Sequence, residues 1–280
     1  MVGATSLDPQ DFVPLRSSKP NILDQKGDTR IVALVNQKGG VGKTTTAVNL
    51  GAAIAATGRQ VIIVDLDPQA NSTAGLGFDV RRRRRTVYSL LSGEAAIDDV
   101  AVPTSVPGLH LVPSEVALAG AEIELATQAE REFRLRGGLA ALSGGFGHVL
   151  IDCPPSLGLL TLNALAAADE VLVPVQAEYY ALEGLGHLLH TVELVRDRLN
   201  HKLELGGILV TQFDARTTLA WDVLAEVRRA YPDRVFKTVI PRNVRLGEAP
   251  SHGRPITEYD PTSRGAAAYR ELAKEVLSRR

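Results

Sequence analysis

Lys38-Gly39-Gly40-Val41-Gly42-Lys43-Thr44-Thr45 sets three glycines, two lysines and two adjacent hydroxyls between two unlike segments. Before it, Ile31-Val32-Ala33-Leu34-Val35 is a short β-branched run suited to a buried strand. After it, Thr44 to Ala56 has the small and apolar residues of a helix laid on a sheet. Strand, glycine turn and helix in that order make a cradle for a nucleoside triphosphate. Gly39, Gly40, Val41 and Gly42 turn backbone N–H groups on phosphate oxygens, and Lys43 reaches the terminal phosphates. The Thr44 hydroxyl, next to Thr45, meets Mg²⁺, and the helix N-terminus adds positive potential. The usual phosphate-loop pattern has glycine where this chain has Gln37, and an additional lysine, Lys38, follows it.

The rest of the chain extends that unit into an α/β fold. Val61-Ile62-Ile63-Val64-Asp65, Leu109-His110-Leu111-Val112, Val171-Leu172-Val173-Pro174-Val175, Gly207-Ile208-Leu209-Val210-Thr211 and Val235-Phe236-Lys237-Thr238-Val239-Ile240 read as further strands with helical stretches between them. This order predicts a doubly wound, mostly parallel sheet flanked by helices, with ligands at the C-terminal ends of the strands. Gly147-His148-Val149-Leu150-Ile151-Asp152 is an apolar strand ending in a carboxylate, as a second Mg²⁺-binding element requires. Residues 1–29, with Pro9, Pro14 and Pro20 among serines and charges, read as a flexible leader before a domain spanning 30–280.

Composition narrows the classes. Hydrophobic residues make up 45% and aromatics 5%, which suits a core of valine, isoleucine, leucine and alanine. The single cysteine, Cys153, cannot form an internal disulfide, so a reducing compartment and a cytoplasmic protein are expected. No apolar run approaches the about eighteen residues of a membrane span, and the N-terminus lacks the order of a secretory signal. Net charge is −1, so attraction to nucleic acid would have to come from local patches. Arg81 to Arg85 is such a patch, open between a nucleic-acid contact and a solvated surface run. The final helix, about Ser263 to Ser278, is alanine-rich with mixed charges, unlike a basic amphipathic membrane anchor.

Together with Asp65-Leu66-Asp67-Pro68-Gln69, Asp152-Cys153-Pro154-Pro155-Ser156-Leu157-Gly158 and Pro241-Arg242-Asn243-Val244-Arg245, the loop closely resembles that of the ParA/Soj family of partitioning ATPases. These belong to the deviant phosphate-loop class. The likeness runs from about residue 30 to 277, through Glu178-Tyr179-Tyr180-Ala181-Leu182-Glu183-Gly184 and Glu248-Ala249-Pro250-Ser251-His252-Gly253. It implies ATP and Mg²⁺ as ligands and an ATP-bound sandwich homodimer that coats the nucleoid without sequence preference. It also implies a ParB/Spo0J-like partner that stimulates an otherwise weak hydrolysis. By the same resemblance, Lys38 reaches the partner subunit's nucleotide and Asp67 orients the attacking water. Asp152 lies near Mg²⁺, with Thr44 and Asp67 completing the metal candidates. Asp65, two residues before Asp67, is open between a part in the site and support of the loop.

Pro241, Arg242 and Asn243 match the segment along adenine and ribose, with Gln212 and Phe213 at the end of the preceding strand; Pro241 is otherwise a strand terminator. Arg216 and Arg245 match phosphate-backbone contacts, against a plain reading as surface salt-bridge arginines. A MinD-like ATPase on a membrane surface is the alternative, opposed by the expected lack of a terminal anchor. A nitrogenase-iron-protein-like reductase would need more than one cysteine for its cluster. A module that binds ATP without cleaving it is disfavoured by Lys38, Asp67 and Asp152 together. Absence of an added DNA-binding extension points to a chromosomal cargo.

Overall fold

The computed structural model describes residues 29–79, 85–142, 145–178 and 181–279. The expected leader through residue 28, Arg81–Arg84 and Tyr179-Tyr180 lie outside them. Seven strands form one sheet: β1 Arg30–Leu34, β2 Val61–Asp65, β3 Val102–Pro103, β4 Leu109–Val112, β5 His148–Asp152, β6 Glu170–Gln176 and β7 Glu204–Thr211. Their order is β3-β4-β2-β5-β1-β6-β7, parallel throughout except for the two-residue edge strand β3. Twelve helices connect them: α1 Lys43–Ala55, α2 Asn71–Gly75, α3 Val87–Ser92, α4 Ile97–Val100, α5 Leu118–Leu125, α6 Arg134–Ala140, α7 Leu159–Ala167, α8 Ala181–Arg198, α9 Thr218–Ala230, α10 Val244–Glu248, α11 Ile256–Tyr259 and α12 Arg264–Ser278.

The central strands are apolar without interruption because both faces are covered. Ala33, Ile62, Val64, Val149 and Ile151 face the core shared with α3 to α9. Val32, Leu34, Val61, Ile63 and Leu150 face the opposite core, closed by α1 and α12. Parallel register sets Leu34 and Asp65 on either side of Asp152, so two carboxylates stand side by side at the C-terminal edge.

Val235–Ile240, expected as a strand, makes only a parallel bridge from Val235 to Ile208, with Ile240 N donating to Val210 O at 2.9 Å. The cause is Glu275 on α12. Its carboxylate accepts from Lys237 N at 2.7 Å and Thr238 N at 3.0 Å, drawing the middle of the segment off the sheet edge. Ser263 caps α12, accepting from Ala266 N at 3.1 Å. Arg30 meets the other end, donating to Val276 O at 2.7 Å and gripping Glu170 through two bonds of 2.7 and 2.6 Å. A cation at helix C-terminal carbonyls is electrostatically favourable.

His148 opens β5 buried, its Nδ1 without a hydrogen-bond partner, facing the charges of Arg30, Arg59 and Glu170. Burial, then Arg30 and Arg59, push its pKa down to about 4, with Glu170 opposing. The folded chain therefore binds fewer protons than the unfolded one between about pH 6.5 and pH 4. Stability from a neutral His148 is complete above the upper value and lost as pH falls through that window, by at most ~3 kcal/mol. His148→Leu is expected to flatten the fall in melting temperature between pH 6.5 and 4.5 relative to the parent. Parallel melting curves for the two proteins would reject this.

Candidate functional site: an anion cradle beside two buried carboxylates

The glycine turn is shaped by where its carbonyls go. Lys43 Nζ donates to Lys38 O at 3.2 Å, Gln212 Nε2 to Gly40 O at 2.5 Å, and Thr211 Oγ1 to Val41 O at 2.7 Å. With those oxygens taken, the amides of the turn and of the first turn of α1 face inward, where no helical carbonyl can meet them. Gly42 precedes α1 at φ 89, a left-handed conformation that any side chain would strain. Gln212 also sits at positive φ, 50, so the end of β7 is bent to serve the loop.

A cavity of about 500 Å³ opens over this turn. Gly39, Gly40, Gly42, Lys43, Thr44, Thr45, Asp67 and Gln212 line it. Its far wall, with Pro250 and Arg254, approaches because Gly77 and Gly253, both at positive φ, meet back to back. A Cβ on Gly253 would lie 2.6 Å from Gly77 Cα. Phe213 turns its ring into the core, 4.9 Å from Trp221 in an edge-on contact. Pro241 pairs with Phe213 through the backbone, Arg242 N donates to Phe213 O at 3.0 Å, and the Asn243 side chain caps α10. Of the five residues expected around the base, Gln212 is the one at the cavity.

Lys43 is 7% exposed. Burial lowers its pKa, while the charges of Asp152 and Asp67 act to raise it. Asp152 and Asp65 are fully buried. Burial, then the adjacent Asp152, holds the Asp65 carboxyl above the usual carboxylate range. Burial, then Asp67, does the same to Asp152 against the pull of Ser72, Thr44 and Lys43. Asp65 is saturated: Oδ2 accepts from Thr73 N at 2.8 Å and Thr73 Oγ1 at 2.6 Å, and Oδ1 from Asp67 N at 3.2 Å. The residue left open in the sequence thus supports the loop.

Asp152 differs. Its Oδ2 accepts from Ser72 Oγ at 2.7 Å, but Oδ1 is buried with no partner. A buried carboxylate oxygen in that state calls for a donor, and a hydrated cation supplies one. No group of three or more His, Cys, Asp or Glu that could hold a metal occurs among the described residues. Thr44 and a single carboxylate instead suit Mg²⁺, which keeps its waters and takes substrate phosphates as ligands.

Asp67 heads a tight turn. Its Oδ1 accepts from Gln69 N at 2.9 Å, and its carbonyl accepts from Ala70 N at 2.9 Å and Ser114 Oγ at 2.7 Å. Those bonds hold Ala70 at φ 54, which costs on the order of 1 kcal/mol for a residue with a Cβ. Ser72, Thr73 and Ser114 had no sequence signal, being common residues whose role depends on strands brought together by the sheet.

Lys38 stands outside the cavity, its side chain 54% exposed and paired with Glu178. Arg216 is gripped by Asp214 at 2.8 and 2.7 Å while 85% exposed. Arg245 reaches Glu248 at 2.7 Å and Asp260 at 3.6 Å. Arg85, the described end of the arginine run, pairs with Asp99 at 3.0 Å.

A family model described as an AAA domain matches residues 29–205. The chain is 55% identical over 249 residues to the sporulation initiation inhibitor protein Soj of Bacillus subtilis, covering 89% of this chain and 98% of that one. It is 51% identical over 252 residues to the chromosome partitioning protein ParA of Caulobacter vibrioides, covering 89% and 94%. A crystal structure of cobyrinic acid a,c-diamide synthase from Mycobacterium smegmatis with bound ATP analogue and magnesium superposes with a TM-score of 0.79. It is 43% identical over 89% of this chain and 95% of its own.

Proposed function

The chain belongs to the Soj/ParA family of chromosome-partitioning ATPases, and on that premise we propose that it spends ATP to time the gripping and release of DNA. The reaction is hydrolysis of ATP to ADP and phosphate. The observation that carries the reading is the partnerless, buried Asp152 Oδ1 beside the anion cradle. Thr44 and Asp152 would hold magnesium, Asp152 through water, with Asp67 near it; when bound, the ion neutralises charge on the phosphate oxygens. Lys43 and the inward amides hold the triphosphate, and Gln212 stands nearest the base. Asp67 orients the attacking water and takes its proton.

Lys38 acts in trans. Its half-exposed position, away from its own cavity, supports a reach to the nucleotide of a second copy, which would make hydrolysis depend on dimerisation. The dimer binds duplex DNA without reading bases, through Arg216 and Arg245 exchanging carboxylate partners for phosphates. A ParB/Spo0J-like partner stimulates turnover, and the setting is the nucleoid in the cytoplasm. A domain of residues 30–280 behind a leader of 1–29 remains the proposed organisation.

The MinD-like alternative needs an apolar face for lipid. Tyr269, Leu272, Ala273 and Val276 of α12 are buried in the core that α1 shares, so that face is already used. No helix among the described residues is long and apolar enough to cross a membrane.

The test is size-exclusion chromatography with Mg²⁺ and a non-cleavable ATP analogue, followed by titration with a duplex of arbitrary sequence. A dimer that retains the duplex is expected. Arg216→Glu with Arg245→Glu is expected to leave the dimer intact and lose the duplex, while neutral variants reduce the salt slope of binding by about 3 to 4 for four contacts per dimer. A parent chain that stays single and ignores DNA would sink the reading.

A further inference from the structure

Helix α5 is apolar on two faces. Leu118, Ala121 and Leu125 are buried against the core, as an amphipathic helix requires. Val116, Ala119, Ile123 and Ala126 are exposed, Val116 at 79% and Ile123 at 77%. Their spacing of three, four and three residues draws a second stripe along the solvent side. Ala119 N donates to Val116 O at 3.1 Å, so the turn before α5 continues the stripe.

The charge around this stripe has one sign. From Ser114 to Glu130 the chain carries Glu115, Glu122, Glu124 and Glu130 and no lysine or arginine, a local charge of −4. The next cation, Arg131, is turned back on the Ala126 carbonyl and the Glu132 carboxylate.

Both ends of the segment lead into the nucleotide site. Ser114 Oγ donates to the Asp67 carbonyl at 2.7 Å, and Ser114 N to Thr73 Oγ1 at 2.9 Å. Glu122 Oε1 accepts from Leu160 N at 3.3 Å, at the start of α7, which follows the Asp152–Gly158 loop. Gly158 lies so close that a Cβ there would fall 2.3 Å from Glu122 Oε1.

We propose that this face of α5 is a docking surface for a basic amphipathic helix of a protein partner, whose seating acts on the Asp67 and Asp152 loops through Ser114 and Glu122. The spacing suits a helix with apolar residues at i, i+3 and i+7, and the −4 charge selects lysine and arginine flanks. The same charge repels nucleic acid and anionic lipid. The proposal rests on the partitioning reading for its consequence, stimulated turnover, but not for binding.

The probe is a labelled synthetic helix of twenty residues with leucines at i, i+3, i+7 and i+10 and lysines flanking them, against a scrambled peptide of equal composition. Fluorescence anisotropy is expected to show the patterned peptide binding the full chain at least tenfold tighter than the scrambled one. Val116→Ser with Ile123→Ser, and separately Glu124→Lys with Glu130→Lys, should each weaken it at least tenfold, with basal ATP turnover and melting temperature unchanged. The patterned peptide should also raise turnover in the parent and not in these variants. Equal binding of both peptides, or no loss in the variants, overturns the docking surface. Self-association of the parent that Val116→Ser with Ile123→Ser abolishes overturns it in favour of a second copy. Peptide binding without a rise in turnover overturns the coupling through Ser114 and Glu122 while leaving the surface. No turnover in the parent under any condition counts against the ATPase reading, and anisotropy then decides the surface alone.

Discussion

Asp67→Ala is expected to keep ATP and lose turnover by about 10²- to 10⁴-fold, the scale of removing a positioned base. Asp67 lines the cavity at 7% exposure, pinned by Gln69, Ala70 and Ser114, so its carboxylate is aimed by the turn that carries it. Binding should survive for an electrostatic reason. Asp67 is one of the charges that raise the neighbouring Asp152, and its removal makes the cavity less repulsive to a triphosphate. The lost Gln69 bond costs ~1 kcal/mol of local stability, too little to unfold the domain. Asp67→Asn, which preserves shape and part of the bonding, should be nearly as slow. If hydrolysis is the release step, the ATP-loaded variant stays on DNA. Equal DNA affinity for its nucleotide-free and ATP-bound forms would contradict the timing mechanism.

Removing the buried cation should act earlier in the cycle. Lys43→Ala is expected to weaken ATP binding by at least ~30-fold, the lower end of the ~2–5 kcal/mol cost of truncating one partner of a buried charge pair, and with it to abolish dimerisation and DNA binding. The ammonium is buried among Asp152 and Asp67, and its bond to the Lys38 carbonyl helps shape the turn. Without it, a triphosphate would enter a cavity whose nearest formal charges are carboxylates. Titration calorimetry with Mg·ATP reads the effect directly. An affinity within threefold of the parent would remove Lys43 from the site. Lys43→Arg should recover little, since the planar guanidinium does not replace a compact ammonium at 7% exposure.

Local order along the chain decided the phosphate turn, the strand before it, the helix after it, and the carboxylates closing β2 and β5. Each is written in consecutive residues: glycines set the turn, β-branched runs set the strands, and parallel strands buried on both faces need no alternation. The parallel sheet followed because successive strand and helix patterns admit few right-handed arrangements.

Tertiary structure alone decided which ordinary residues complete the site. Ser72 meets Asp152 across 80 positions, and Ser114 meets Asp67 across 47. Glu275 undoes a strand pattern at Val235–Ile240 by offering its amides a better acceptor than the sheet edge. Phe213 and Arg216 followed the neighbours the fold supplied, Trp221 and Asp214. A residue sequence encodes backbone preference over a few neighbours, whereas a buried polar atom takes whichever partner the packed chain brings within about 3 Å.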